Sequence, residues 1–466
     1  MTTASPTELV ERALARATAA PHHASSSVLV SEGSTANMRW ASNTLTTNGV
    51  TTGQSVAVAV AVTTRQGTCL GIVSRRGVGL DDVEALVDDA LAVAAQAPPA
   101  EDAADLLPGD ADHAWTQPAD VTGPGVLEGL AAGLGDAFRA ARSEGSELFG
   151  YAEHALRTTW LGTSVGVRRR HTQPAGIVEL TGKSHQRTRS TYACQATRDF
   201  TDVDVLATAE QVRTRLGWQA RRVDVDPGRY DVVLPPTTVA DLMVYLYWSG
   251  DARSAHEGRS VFSKLGGGTR VGETLTDVPL SLTGDPAYPG LECEPFVLTS
   301  SSSPFASVFD NGLTTPPATW VDAGRLAALP TTRHTAGLSG LPLTPAVDNL
   351  VLQAADGAGD VDSLLEHLDR GLLLTSTWYI REVDPTTLLL TGLTRDGVYL
   401  VEGGEVVAAT NNFRFNESPV DLLARVDEVG ATAPALSREW GEFFPRTAMP
   451  ALRVRGFNMS STSQAS

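Results

Sequence analysis

The sequence predicts an α+β protein, with an N-terminal antiparallel sheet that carries long helices and a C-terminal, mainly antiparallel β domain. Three observations predict it. In the first half, alternating stretches such as "SVAVAVAVTT" lie between segments whose apolar residues recur at helical spacing. From about residue 270 the pattern becomes short strand runs broken by Pro, Gly and Thr. The chain has 466 residues, more than one compact core accommodates, so two or three domains are expected, and the pattern divides the chain into 1–224 and 225–466.

The elements follow in order. "SPTELVERALARATAA" starts a helix, with Ser5 at the N-cap, Pro6 at the first helical position and Glu8 completing a capping box. Leu9, Val10, Ala13, Leu14 and Ala17 share one face of it. "SSVLVSEG" and "MRWASNTLTTNGVTTGQSVAVAVAVTT" read as strands, with Asn48-Gly49 as a turn signal. Val56, Val58, Val60 and Val62 share one face and the intervening alanines the other, which leaves room for a helix to approach the alanine side closely. "QGTCLGIVSRR" is a strand, and "DDVEALVDDALAVAAQAPP" is a helix with acids at its start and prolines at its stop. Residues 98–124 form a surface loop, 125–145 a helix, 146–202 a strand-rich segment, and "VDVLATAEQVRTRLGWQARR" a helix leading out of the first half.

The second half opens on a Pro-Gly turn, a short strand and the apolar helix of "PPTTVADLMVYLYW". Strands are expected in "PFVLTSSS", "ATWVDAGRLAALPTT", "LLLTSTWYI" and "TLLLTGLTRDGVYLVEGGEVVAATNNFRF", with helical interruptions near 360–370 and 418–428. The tail "GFNMSSTSQAS" is polar and expected to fray.

Composition narrows the function classes. A formal charge of -18, from 36 basic and 54 acidic residues, repels phosphate backbones, so no nucleic-acid partner is expected. Arg168-Arg169-Arg170 reads as a solvated strand end. Cys69, Cys194 and Cys293 are widely spaced, with no CxxC, which suits a reducing cytoplasm. The N-terminus lacks the basic and apolar regions of a signal peptide, and no apolar run is long enough to span a membrane. Only Lys183 and Lys264 are lysines, and with the many Ala and Gly this suggests a high-GC bacterial source.

Catalytic patterns are lacking. A zinc hydrolase helix of the His-Glu-x-x-His type sets two imidazoles on one face beside a general base. His256-Glu257 is followed by Ser260 and Val261 at the spacings where a second imidazole would stand. No G-x-S-x-G elbow is present, "KLGGGTR" lacks the GK[ST] ending of a phosphate loop, and "VFDNG" resembles an Asx turn more than a ligand set.

The order of segments nevertheless resembles the TldD/PmbA family over nearly the whole chain. It is carried by "MRWASNTLTTNGVTTGQSVAVAV", "DPGRYDVVLPPTTVADLM", "EGRSVFSKLGGGTRVGETLTDVPLSLTGDP", "VFDNGLTTPPATWVDAGRLAAL", "DNLVL" and "DGVYLVEGGEVVAATNNFRFNESPVDLL". In that family TldD-like subunits hold zinc with a His-Glu-x-x-x-His motif in the central helix and a Cys near the C-terminus. TldE-like (PmbA-like) subunits lack these ligands and pair with a TldD-like partner. Alignment through "GRSVFSKLG" puts Met243 and Trp248 near the two histidine positions and Val244 near the Glu, and the last cysteine is Cys293.

The resemblance therefore implies a TldE-like subunit of a heterodimeric metallopeptidase that degrades unfolded peptides or processes modified-peptide precursors. This chain would hold no catalytic residue, metal or cofactor, and zinc would belong to the TldD-like partner. The substrate is expected to be an extended peptide, and a homodimer is the assembly open to the chain without its partner. Met243, Tyr247, Trp248, His256, Glu257 and Arg259 are the candidate peptide or interface contacts, with core packing as the alternative for Met243, Tyr245, Tyr247 and Trp248. Two rival readings are a stand-alone, metal-independent hydrolase using His256, Glu257 or Ser300–Ser303, and a homodimeric peptide-binding protein without catalysis.

Overall fold

The structure is a computed structural model and describes residues 4–463. Its first half is one six-stranded antiparallel sheet, in the order β3-β2-β1-β4-β5-β6. The strands are β1 (His23–Ala41), β2 (Thr44–Thr64), β3 (Gly67–Arg76), β4 (Ser146–Thr163), β5 (Arg168–Ser184) and β6 (Arg189–Thr197). Helices α1 (Pro6–Thr18), α2 (Leu80–Gln96), α3 (Glu128–Ser143) and α4 (Val205–Trp218) cover one face of it. The capping box at Ser5 and Glu8 forms as the sequence predicts, and Leu9, Val10, Ala13, Leu14 and Ala17 are buried.

Glycines set how near those helices lie. A Cβ on Gly71 of β3 would meet the Ala90 carbonyl of α2 at 1.9 Å, one on Gly162 of β4 would meet Val10 of α1 at 2.3 Å, and one on Gly182 of β5 would meet Val212 of α4 at 2.2 Å. Each helix backbone or side chain occupies the space a side chain on the sheet would need.

Three expectations for this half are corrected. The β1–β2 turn is Ser42-Asn43, not Asn48-Gly49, which pair with Met38 and Asn37 in mid-strand. Ser42 and Asn43 adopt left-handed φ of 49° and 62°, as a two-residue hairpin requires. Asn43 is tolerated there because its amide donates to Ser146 O (2.8 Å) and its Oδ1 accepts from Leu148 N (2.7 Å). The helices pack on the valine face of β2, while Ala59 and Ala61 receive Val308 and Phe309 from the second half. Finally, Arg168, Arg169 and Arg170 are not a solvated strand end. They pair with Glu11, Asp112 and Asp120, and the Arg170 side chain is only 8% exposed.

The second half holds two sheets. A nine-stranded sheet contains, in order, Thr377–Asp384, Leu389–Thr394, Asn412–Glu417, Leu452–Ser463, β7 (Gly228–Leu234), Arg370–Leu374, Val398–Glu402 and Glu405–Ala409, with Val426–Val429 pairing off the Leu452–Ser463 strand. A six-stranded sheet contains Arg325–Leu326, Ala318–Asp322, Leu280–Gly284, Leu350–Ala354, Thr447–Met449 and Ala433–Ala435. Two pairings are parallel, β7 with Arg370–Leu374 and Leu350–Ala354 with Thr447–Met449, and the rest are antiparallel. Helix α5 (Pro236–Trp248) shares one core with residues of both sheets.

Here too the chain departs from expectation. "PFVLTSSS" forms only a single antiparallel bridge, Phe296 with Thr314, with Val297 N donating to Leu313 O (2.8 Å); beyond it Asn311 replaces backbone pairing, accepting from Thr299 N (2.8 Å) and donating to Thr299 O (2.9 Å). Asp310 of "VFDNG" is not an Asx turn but a buried partner of Arg333 at 2.6 Å. The helix near 418–428 stops at Leu423, and Val426–Val429 is a strand. The polar tail does not fray within the described residues. Leu452–Ser463 is a central strand whose Phe457 and Met459 are fully buried, while the last three residues of the predicted tail lie outside the described chain.

Candidate functional site

Helix α5 explains its own composition. A helix packed between two sheets has no solvent face and is apolar all round. Val239, Ala240, Leu242, Met243, Val244 and Leu246 are all no more than 2% exposed. Of the predicted contacts, Met243 and Tyr247 are thus core residues. The Tyr247 hydroxyl donates to Val347 O and accepts from Val347 N, both at 2.9 Å, and burial pushes its pKa up.

The exception on α5 is Asp241, which the sequence reading passes over. It is 0% exposed. Its Oδ1 accepts from Ser437 Oγ (2.6 Å) and Glu439 N (3.0 Å), and its Oδ2 accepts from Thr377 Oγ1 (2.5 Å). Burial raises its pKa to about 6 against the opposing effect of these three donors. Trp440 Nε1 donates to the Asp241 carbonyl at 2.9 Å. One carboxylate therefore fixes the segment Ser437–Trp440 against the start of the Thr377–Asp384 strand.

That arrangement builds a cleft of about 830 Å³ at the C-terminal end of α5, lined among others by Tyr245, Trp248, Arg259, Arg381, Glu382 and Trp440. Trp440 packs edge-on against Tyr245 and Trp248, each with ring centroids 5.4 Å apart. The Thr377–Asp384 strand is an edge of the nine-stranded sheet. Its amides at Tyr379 and Ile380 are already taken by the Glu439 carboxylate, at 2.9 and 3.1 Å. Val383, further along, is 57% exposed. An aromatic wall beside a partly open sheet edge is a surface on which an extended peptide can lie.

The structure brings Trp248 and Arg259 to this cleft but not the other predicted contacts. His256 is exposed at the end of the short helix Ala252–His256. Glu257 sits between Arg253 (3.0 Å) and Arg259, which hold its pKa below the usual carboxylate range. Ser302 and Ser303 close a turn, their hydroxyls accepting from Val308 N and from Phe305 N and Ala306 N.

Zinc does not fit the family position in this chain. Met243 and Val244 are buried apolar groups, and Trp248 packs against Trp440 and Phe444. Cys293 is 2% exposed, and burial pushes its thiol up to about 12. Among the described residues no three His, Cys, Asp or Glu side chains are grouped so as to hold a metal ion. No helix of the described residues is long and apolar enough to cross a membrane.

Residues 227–461 match the model of the PmbA/TldA metallopeptidase C-terminal domain. The fold is similar to that of TldE from Thermococcus kodakarensis, with a TM-score of 0.79 at 15% identity, covering 97% of this chain and 99% of that one. A Thermotoga maritima protein named as a putative modulator of a DNA gyrase gives 0.73 at 16% identity, covering 97% and 99%. One so named from Bacteroides thetaiotaomicron gives 0.75 at 14%, covering 99% and 100%. These identities speak for a shared fold. No curated protein sequence matches the chain.

Proposed function

The chain belongs to the PmbA/TldD metallopeptidase family, and on that footing we propose that it is a TldE-like, non-catalytic subunit that works with a TldD-like partner on extended peptides. The observation that carries the reading is the chemistry of α5. Where the family resemblance implies two imidazoles and a carboxylate, this helix offers Met243, Val244 and Trp248, two of them sealed in the core. Such a helix cannot lower the pKa of a bound water, yet the surrounding framework is kept. A retained framework without donors suits a subunit whose task is assembly and peptide enclosure. Zinc then belongs to the partner, and the aromatic cleft beside α5 is the surface this subunit offers to peptide or partner.

The test is a mixing titration in which cleavage of an unstructured peptide is followed against the ratio of this chain to a TldD-like partner. Activity absent from either the chain alone or a chelated mixture, and saturating near equimolar ratio, is the expected result. The double variant H256A/E257A should behave as wild type in the same titration, because both groups are exposed and clear of the cleft. Chelator-resistant cleavage by this chain alone would overturn the proposal.

A further inference from the structure

A second cavity, of about 710 Å³, lies between the β5–β6 hairpin of the first half and one end of the nine-stranded sheet. Its charge is opposite to that of the molecule. In a chain of net charge -18, the lining holds, among the described residues, six cationic side chains, Lys183, Arg187, Arg189, Arg222, Arg395 and Arg438, and a single carboxylate, Asp396. At physiological salt the Debye length is about 8 Å, so a ligand inside the cavity feels these cations rather than the distant acids.

The cations are under-compensated. Arg187 is bonded to Glu147 at 2.8 Å, and Asp396 is shared between Arg395 (3.3 Å) and Arg438 (3.7 Å). Arg189 and Arg222 make no ion pair among the described residues. Arg395 Nε is shielded from water and has no aligned acceptor. Arg438 is held rigidly, its guanidinium over the rings of Tyr192 (4.2 Å) and Trp378 (5.0 Å), on the segment that Asp241 fixes. A pre-positioned guanidinium such as that of Arg438, whose side chain is only 9% exposed, beside more open ones with spare donors favours a planar, bidentate acceptor.

From this we propose that the cavity binds an acidic peptide segment through Asp or Glu carboxylates; the choice of a peptide rests on the functional reading above. Guanidinium forks bind carboxylate and phosphoryl oxygens alike, so the choice rests on the rest of the lining. Phosphate cradles add helix N-termini or successive backbone amides. The helix that reaches this cavity is α4, and it presents its C-terminal cap, Gln219, where the macrodipole is negative. Recognition therefore falls to side-chain forks. The volume suits a few residues of peptide, and Phe149 and Trp378 supply apolar surface for their stems.

The experiment is fluorescence anisotropy on the full chain without any partner, using labelled hexaglutamate and hexaglutamine peptides. Hexaglutamate should bind, hexaglutamine should not, and added salt should weaken binding. The double variant R189Q/R222Q, which removes no ion pair among the described residues, should weaken hexaglutamate by about tenfold or more, while R65Q, at the exposed β2–β3 turn and away from both cavities, should leave it unchanged. Equal binding of the two peptides, an unchanged R189Q/R222Q affinity in a normally folded variant, or equal loss in R65Q would overturn the proposal. Displacement by inorganic phosphate at concentrations matching hexaglutamate would reassign the cavity to a phosphoryl anion and overturn the peptide. Because no cleavage is read, a failed mixing titration and a failed binding assay are separate outcomes.

Discussion

Asp241 was unreadable as a site because nothing local distinguishes a lone acid in an apolar helix from an exposed one. Its partners, Thr377, Ser437 and Glu439, lie more than a hundred residues away. Its raised pKa makes a prediction with a definite sign. Between the ordinary value of 3.8 and about 6, the folded chain keeps a proton that the unfolded chain has released. The stability this group contributes is therefore fully present below about pH 4 and lost as pH rises through 6. A shift of that size corresponds to about 3 kcal/mol. D241N, which imitates the protonated form, should gain stability relative to wild type by up to that order between pH 4 and pH 7, read from denaturant midpoints. A difference that stays flat across that range would sink the assignment. Met243 and Tyr247 are the opposite case: the apolar run around them already announced the core, and the structure leaves only Trp248 and Arg259 facing a cleft.

At the scale of elements, periodicity located most strands and helices, because each is long enough to express its own burial pattern. The failures came where a side chain substitutes for backbone pairing. Beyond the single bridge at Phe296, Asn311 takes over from backbone pairing in the 298–302 segment, and Asn43 makes a hairpin of Ser42-Asn43 while an apparent Asn-Gly turn runs straight through β2. The alanine face of β2 was expected to receive a helix, but its occupant, the Val308–Asp310 turn, could not be known from local sequence. Helix–sheet spacing yields a sharper test. The Gly71→Ala variant sets a methyl against the α2 backbone, which cannot yield as a flexible side chain can. It should cost about 1–3 kcal/mol, seen as a lower unfolding midpoint with α2 and β3 displaced together. An unchanged midpoint would mean that α2 rides further from the sheet than described here.

At the scale of the molecule, fold class was legible because both halves obey simple patterning, whereas the two cavities were not, since each is assembled from segments remote in sequence. The basic one draws on the β5–β6 hairpin, the end of α4 and residues 395–438. The same remoteness governs the nine-stranded sheet. Its central strand Leu452–Ser463 pairs with β7, Val454 standing opposite Val232, and also with Asn412–Glu417 and Val426–Val429. A chain ending at Ala451 should therefore lose cooperative unfolding of its second half while the first-half sheet, closed by residue 197, keeps its structure; hydrogen exchange resolves the two, and equal protection of both halves would refute it. The consequence reaches into synthesis. At ~5–20 residues per second, the strand that flanks β7 leaves the ribosome roughly 10–45 s after it. Through that interval the apolar Val232-Val233-Leu234 edge, fully buried in the finished sheet, lacks that neighbour, so the nascent second half should need a holding chaperone at a stage when the first-half sheet can already fold.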